Sequence, residues 1–200
     1  MKLHARVMEN TLAYRVWQAP FAEQKLAPLF AHNDMTRVRR VLDVGCGPGT
    51  NTHHFTGMEY LGIDFNPAYV ESARQRHGRE FVVADVTRYE VPRDKRFDLI
   101  LANSLFHHID VANTRRILAH LATLLSSDGY VHVFDLVLPG RPSVSRFLAR
   151  ADRGEFPRPL EEWRELFTEA FEPVVFQPYP LGVAGVTLWN MVYFKGRPRR

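Results

Sequence analysis

One cysteine in 200 residues, Cys46, excludes an internal disulfide and any cysteine-based zinc site, and it fits a reducing cytoplasm. No apolar run approaches the length of a membrane span, so no membrane-crossing segment is expected. Residues 1–9 carry Lys2, Arg6 and Glu9 without an uninterrupted apolar stretch, which is unlike a secretory leader. A strong charge of one sign is also missing. The net charge of +4 arises from 26 Lys and Arg against 22 Asp and Glu, interspersed along most of the chain, so a nucleic-acid partner is not expected. The local basic clusters, Arg37, Arg39 and Arg40 and then Arg197, Arg199 and Arg200, read as solvated. No repeat or low-complexity tract appears. A hydrophobic content of 46% over this length suits one compact domain, expected to be soluble and cytoplasmic, as a monomer or homodimer.

What the chain does have is a buried-strand pattern running straight into closely spaced glycines: Val41-Leu-Asp-Val-Gly45-Cys-Gly47-Pro-Gly49-Thr50. Glycine lets the backbone take positive φ and approach a ligand where a Cβ would clash, so this loop reads as a nucleotide-type cofactor surface. The next glycine arrives only at Gly57, which departs from the dinucleotide fingerprint and weakens a dehydrogenase reading. Asp43 lies inside the strand, where an unpartnered charge costs several kcal/mol, so a donor is expected beside it. Three further apolar runs follow. Met58 to Ile63 ends in Asp64, about 20 residues beyond the loop, where an acid can accept from both ribose hydroxyls. Phe81 to Ala84 ends in Asp85, and Phe97 to Ala102 ends in Asn103. In an open parallel sheet such strand ends converge at the point where strand order reverses.

The set formed by the Asp43-to-Gly49 loop, Asp64, Val83-Ala84-Asp85-Val86 and Phe97-Asp98-Leu99-Ile100 resembles the class I S-adenosylmethionine-dependent methyltransferases of the type 11/25 kind, over roughly residues 38 to 137. The resemblance implies a three-layer α/β, Rossmann-like seven-stranded sheet, mostly parallel with the last strand antiparallel, under an N-terminal helical cap. It implies S-adenosyl-L-methionine as cofactor. Gly45, Cys46 and Gly47 would approach its methionyl portion, Asp43 would fix the loop and the amino group, and Asp64 would hold the ribose. Phe65 would pack beside the adenine, Asp85 would accept from its exocyclic amine with Val86 nearby, and Asn103 and Ser104 would face the sulfonium. Expected parts are a cap over 1–37, a cofactor core over 38–137, a substrate-side insertion over 138–158 and a C-terminal helix and strands over 159–200.

The remaining elements follow from periodicity. Residues 11 to 31, interrupted by Pro20, read as two short helices that offer Tyr14, Trp17 and Lys25 to the acceptor, or simply pack. A helix starts at Pro67 and ends near Gly78; another holds Ile117 to Leu125; Asp128-Gly129 turns the chain into a strand at Tyr130 to Val137. Residues 159 to 170 form a helix, and strands at Phe171 to Gln177 and Thr187 to Phe194 are joined through Leu181 to Val186.

Beyond strand four, His107 and His108 are the candidate general base or positioning pair; adjacent residues diverge on regular elements, so at most one is expected to face the pocket. Neither this pair nor His53-His54 has an acidic or cysteine partner at recognisable ligand spacing, so no metal site is expected. Arg146, Arg150 and Arg153 fall on one helical face and either receive an anionic acceptor or pair with neighbouring glutamates. The expected activity is methyl transfer to a small molecule. A protein or nucleic-acid acceptor, or a non-catalytic S-adenosylmethionine-binding subunit, are the alternatives; no added recognition domain and no Asn-Pro-Pro-Tyr signature after strand four support the former.

Overall fold

The computed structural model describes residues 21–152 and 154–199. Tyr14, Trp17 and Arg153 lie outside them. Helix α1 (Ala22–Ala31) leads into β1 (Arg40–Val44), β2 (Glu59–Asp64), α2 (Pro67–His77), β3 (Glu80–Val83) and β4 (Phe97–Asn103). There follow α3 (Val111–Leu124), β5 (Leu125–Leu136), α4 (Val144–Ala151), α5 (Leu160–Ala170), β6 (Phe171–Val183) and β7 (Val186–Pro198). The sheet has seven strands in the order β3-β2-β1-β4-β5-β7-β6. The pairs among β1 to β5 are parallel, and β7 runs antiparallel to both β5 and β6. Strand order reverses between β1 and β4, which makes their carboxyl ends the ligand-binding edge of such a sheet.

Alternation on β1 shows how the layers form. Val41 faces a core with Leu26, Leu29, Tyr60, Val70 and Phe81, beneath α1 and α2, while Leu42 faces the opposite core with Ile100, Leu118, Leu121, Trp163 and Phe167, beneath α3 and α5. Burial on both faces is what parallel strands require, and it explains the nearly continuous apolar runs. Helix ends follow from local chemistry. Asn66 caps α2 by accepting from the Ala68 amide, Pro67 takes the first turn, and Gly78 closes the helix at φ 57°. Asp110 accepts the Asn113 amide at the start of α3.

Two readings change. Asp128-Gly129 is not a turn: β5 begins at Leu125 and passes through these residues with an irregular register against β4 between Phe97 and Leu99. A Cβ on Gly129 would lie 2.5 Å from the Phe97 carbonyl oxygen, so glycine here serves close backbone approach rather than chain reversal. The β6–β7 connection is also shorter than expected, because the strands pair up to Val183 and Val186 and reverse at Ala184 and Gly185, both with positive φ. Pro173, Pro178 and Pro180 are tolerated in β6 because it is an edge strand.

The 138–158 insertion contains α4, capped by Ser143, and returns to the sheet where Val137 bridges Arg158. Arg158, 2% exposed, donates to the carbonyls of Phe106 (2.8 Å) and Ile109 (2.6 Å) and stacks over Trp163. The insertion is thereby sewn to the loop that follows β4.

Candidate active site

The glycine loop leaves β1 with Gly45, Gly47 and Gly49 all at positive φ. The Gly45 and Cys46 amides both donate to the Ile63 carbonyl, and the Gly47 amide donates to Asp64 Oδ2 at 2.8 Å. Asp64 Oδ1 takes the Asn66 amide, also at 2.8 Å, so one carboxylate locks the loop to the tip of β2. A Cβ on Gly45 would press on Leu105, whereas one on Gly47 would meet nothing within 4 Å. Gly47 is therefore the bare, open point of the loop. Cys46 is buried, and burial drives its thiol well above the ordinary range, so it contributes size and backbone rather than a nucleophile.

Asp43 lies wholly beneath this loop. It accepts from Tyr60 Oη at 2.8 Å and from Asn51 Nδ2 at 3.2 Å, the donors its position demanded. Burial raises its carboxyl to about 7. Its influence reaches the front of the site through Asn51, whose Oδ1 accepts from Asn103 Nδ2 at 3.0 Å. With no exposed surface, Asp43 sits behind the loop and braces it through Asn51 and Tyr60.

Neighbouring strand tips complete the edge. The Ala84 amide donates to the Asp64 carbonyl, placing Asp85 beside the tip of β2. Asp85 is exposed; hydrogen bonds from the Thr87 hydroxyl and amide hold its carboxyl below the usual range. Val86 is buried next to it, and Phe65 stands 82% exposed, an aromatic face offered to the same edge. On the β4 side, Ser104 adopts φ 55° and receives a hydrogen bond from Lys25 of α1. Desolvation lowers the Lys25 amine to about 8, against the pull of Asp135 and Asp152.

The histidines depart from expectation. They sit in a short 3₁₀ turn, Phe106–His108, with ring centroids 4.1 Å apart, and a nitrogen of each lies within 4.8 Å of an Asp152 carboxylate oxygen. The tight turn brings adjacent side chains closer than a strand or α-helix would, so both face one point. His107 is 2% exposed. Its Nδ1 lies 2.6 Å from Asp135 Oδ1, and its Nε2 lies 3.8 Å from Asp152 Oδ1. The absence of an acidic partner was a property of sequence spacing only; the fold supplies Asp135 and Asp152 to this pair and Glu23 to His53 and His54. Arg146 donates to the Pro139 carbonyl and thus braces α4, while Arg150 is exposed on the same helix. Sequence reasoning missed Asn51, Tyr60 and Asp135. Asp135 carried the same signal as Asp43, an acid inside an apolar strand.

A strand order of this kind, with a glycine loop at β1 and acids on β2 and β3, defines a class I methyltransferase fold. A family model described as "Methyltransferase domain" matches residues 41–129. A trans-aconitate 2-methyltransferase of Escherichia fergusonii is 31% identical over 121 residues, 56% of this chain and 46% of that protein. A ubiquinone biosynthesis O-methyltransferase of Rhodopseudomonas palustris is 28% identical over 145 residues, 66% of this chain and 53% of that protein. The chain thus spans about half the length of these curated relatives. The crystal structure of N-methyltransferase NodS from Bradyrhizobium japonicum WM9 with S-adenosyl-l-homocysteine superposes with a TM-score of 0.69 at 17% identity, covering 92% of this chain and 88% of that one. Residues 41–129 thus match a methyltransferase domain, and the fold is the one seen in solved methyltransferases.

Proposed function

We propose that this protein binds S-adenosylmethionine across the carboxyl ends of β1 to β4 and methylates a small molecule bearing an ionisable oxygen. The observation that carries the reading is the continuous arrangement of the open Gly47, the Asp64 carboxylate bonded to it, the exposed Phe65 and the adjoining Asp85 along one sheet edge. Asp64 retains acceptor capacity on both oxygens for ribose hydroxyls, Phe65 covers the adenine, Asp85 accepts from its amine, and Val86 lines the same wall. Gly45, Cys46 and Gly47 shape the cradle for the methionyl end. The cofactor supplies an activated methyl group, so the chain's own task is alignment and exclusion of water.

Alignment of the acceptor falls to the β4 side. Asn103 and Ser104 border the sulfonium position, and Lys25 enters from α1 onto Ser104. Its amine, lowered to about 8 by desolvation, is still mainly protonated at neutral pH and donates to an acceptor oxygen. Carboxylate or phenolate acceptors suit this arrangement, and two relatives bear the names of small-molecule methyltransferases. Arg150, exposed on α4, is the second candidate cation; Arg146 is engaged with backbone. Calorimetry with S-adenosylmethionine and its demethylated product, followed by an acceptor screen using labelled donor, tests the reading. Binding of both is expected, with Lys25→Met raising KM for anionic acceptors and leaving cofactor affinity unchanged. Preference for NAD over both would refute it.

A further inference from the structure

His107 is held between two acids, Asp135 on Nδ1 and Asp152 facing Nε2. Asp135, itself fully buried, accepts the backbone amides of Phe106 and Leu136, both at 2.8 Å, and takes a third hydrogen bond from His107 at Nδ1. A carboxylate that only accepts puts the shared hydrogen on Nδ1 and, in the neutral ring, leaves Nε2 as a lone pair. That Nε2 is buried and has no hydrogen-bond partner. What it faces is another acceptor, Asp152 Oδ1 at 3.8 Å, whose side chain is 4% exposed, receives the Gly154 amide at 3.3 Å and attracts the Lys25 amine. At 3.8 Å a direct N–H···O bond is not formed. Two lone-pair donors facing each other in a buried place are offset either by a proton on Nε2 or by a metal ion between them. Two atoms each bound at about 2.1 Å to one ion lie at most about 4.2 Å apart, a limit the observed separation satisfies. His108, exposed, brings a third nitrogen to the same point, all three ligand atoms lying within 4.8 Å of one another.

We propose that His107 Nε2, His108 and Asp152 form a binding site for a divalent transition metal, with Asp135 as the carboxylate that orients His107. Two imidazoles and one carboxylate are the donor set of borderline ions such as Zn²⁺ and are poor for Mg²⁺, which prefers oxygen. A carboxylate on the second ring nitrogen is the usual support for a metal-binding histidine. Gly154 fits this arrangement: a Cβ there would lie 2.7 Å from the His107 carbonyl oxygen, so only glycine lets the 152–156 segment close over the ring. The Phe156 amide then pins it to that same carbonyl at 2.9 Å. The ion would clamp the 138–158 insertion to the loop after β4. The inference does not depend on the methyl-transfer reading.

Tag-free full-length protein, stripped with chelator, is titrated with ZnCl₂ and separately with MgCl₂ by calorimetry, without cofactor. One Zn²⁺ per chain, no Mg²⁺ response and a metal-dependent rise in melting temperature are expected. Asp152→Asn and His108→Ala should each weaken Zn²⁺ at least tenfold; His108 is exposed, so that variant tests the site even where changes at His107 disturb folding. His53→Gln reports on the surface cluster of Glu23, His53 and His54 and should change nothing. Wild-type protein that ignores Zn²⁺, or binding lost with His53→Gln and kept in Asp152→Asn and His108→Ala, overturns the proposal.

Discussion

Gly47→Ala separates a loop that binds from a loop that merely turns. Gly47 has φ 53° and Gly78, at the end of α2, has φ 57°; an added Cβ meets nothing within 4 Å at either. Each alanine variant therefore carries only the cost of left-handed backbone, about 1–2 kcal/mol. At a 200-residue size that is a drop in melting temperature of roughly 2–8 °C, similar in the two proteins. The open space beside Gly47 is where the proposed site brings the cofactor against backbone, whereas Gly78 is exposed at the end of α2. Gly47→Ala should therefore lose at least tenfold in S-adenosylmethionine affinity, about 1.4 kcal/mol, while Gly78→Ala binds as wild type. Melting curves and calorimetry on the pair measure both quantities. Equal affinities at equal stability would show that the loop tip is not a contact surface, and the assignment of the sheet edge would fall with it.

Three further outcomes follow from buried polar groups. Asp64→Asn turns an NH₂ toward the amide of Gly47 or Asn66, leaving a donor without an acceptor; unfolding free energy should fall by about 1–3 kcal/mol in urea melts, and cofactor affinity should fall with it. Asp43, raised to about 7 by burial, holds its proton in the fold at pH values where the unfolded chain has released it. Its contribution is complete below the unfolded value of 3.8 and is lost as pH rises toward about 7, so stability declines across that window by at most about 1.4 kcal/mol per pH unit. The difference between wild type and Asp43→Asn should follow that slope, and parallel stability curves would contradict it. Arg158→Met strips the donors from the Phe106 and Ile109 carbonyls, a loss of about 2–4 kcal/mol that should also expose 138–158 to limited proteolysis.

What could be read from the sequence was local. Apolar runs ending in Asp64, Asp85 and Asn103 are visible because strand and polar tip are contiguous, and a glycine loop is visible because its spacing is short. Asn51 and Tyr60 were not, since they reach Asp43 only through the turn after β1 and the parallel pairing of β1 with β2. Turn chemistry misled at Asp128-Gly129 because glycine answers two demands, positive φ and close approach, and only the neighbouring Phe97 carbonyl tells them apart. The prolines of β6 shortened that strand on paper, since nothing in the sequence reveals which strand lies at the edge. The histidine pair and Asp152 are far apart in sequence and meet only after the insertion folds back along Arg158.

The two buried acids explain why the β4 tip can act as a fixed reference for the reaction. β4 lies between β1 and β5, and each neighbour contributes one carboxylate from inside the sheet. From β1, Asp43 holds Asn51, and Asn51 holds Asn103; from β5, Asp135 takes the Phe106 amide and the His107 ring. Asn103 and His107 thus bracket Ser104, whose left-handed backbone would otherwise relax toward ordinary φ at a gain of order 1–2 kcal/mol. Hydrogen bonds contribute about 0.5–1.5 kcal/mol each between neutral groups and more to charged ones, so the two anchors together offset that strain. The side chain that meets Lys25 is consequently set before any ligand arrives, as alignment of a methyl donor and its acceptor demands. Loosening either acid should then reduce turnover more than cofactor affinity, because the ribose and adenine contacts proposed above belong to β2 and β3.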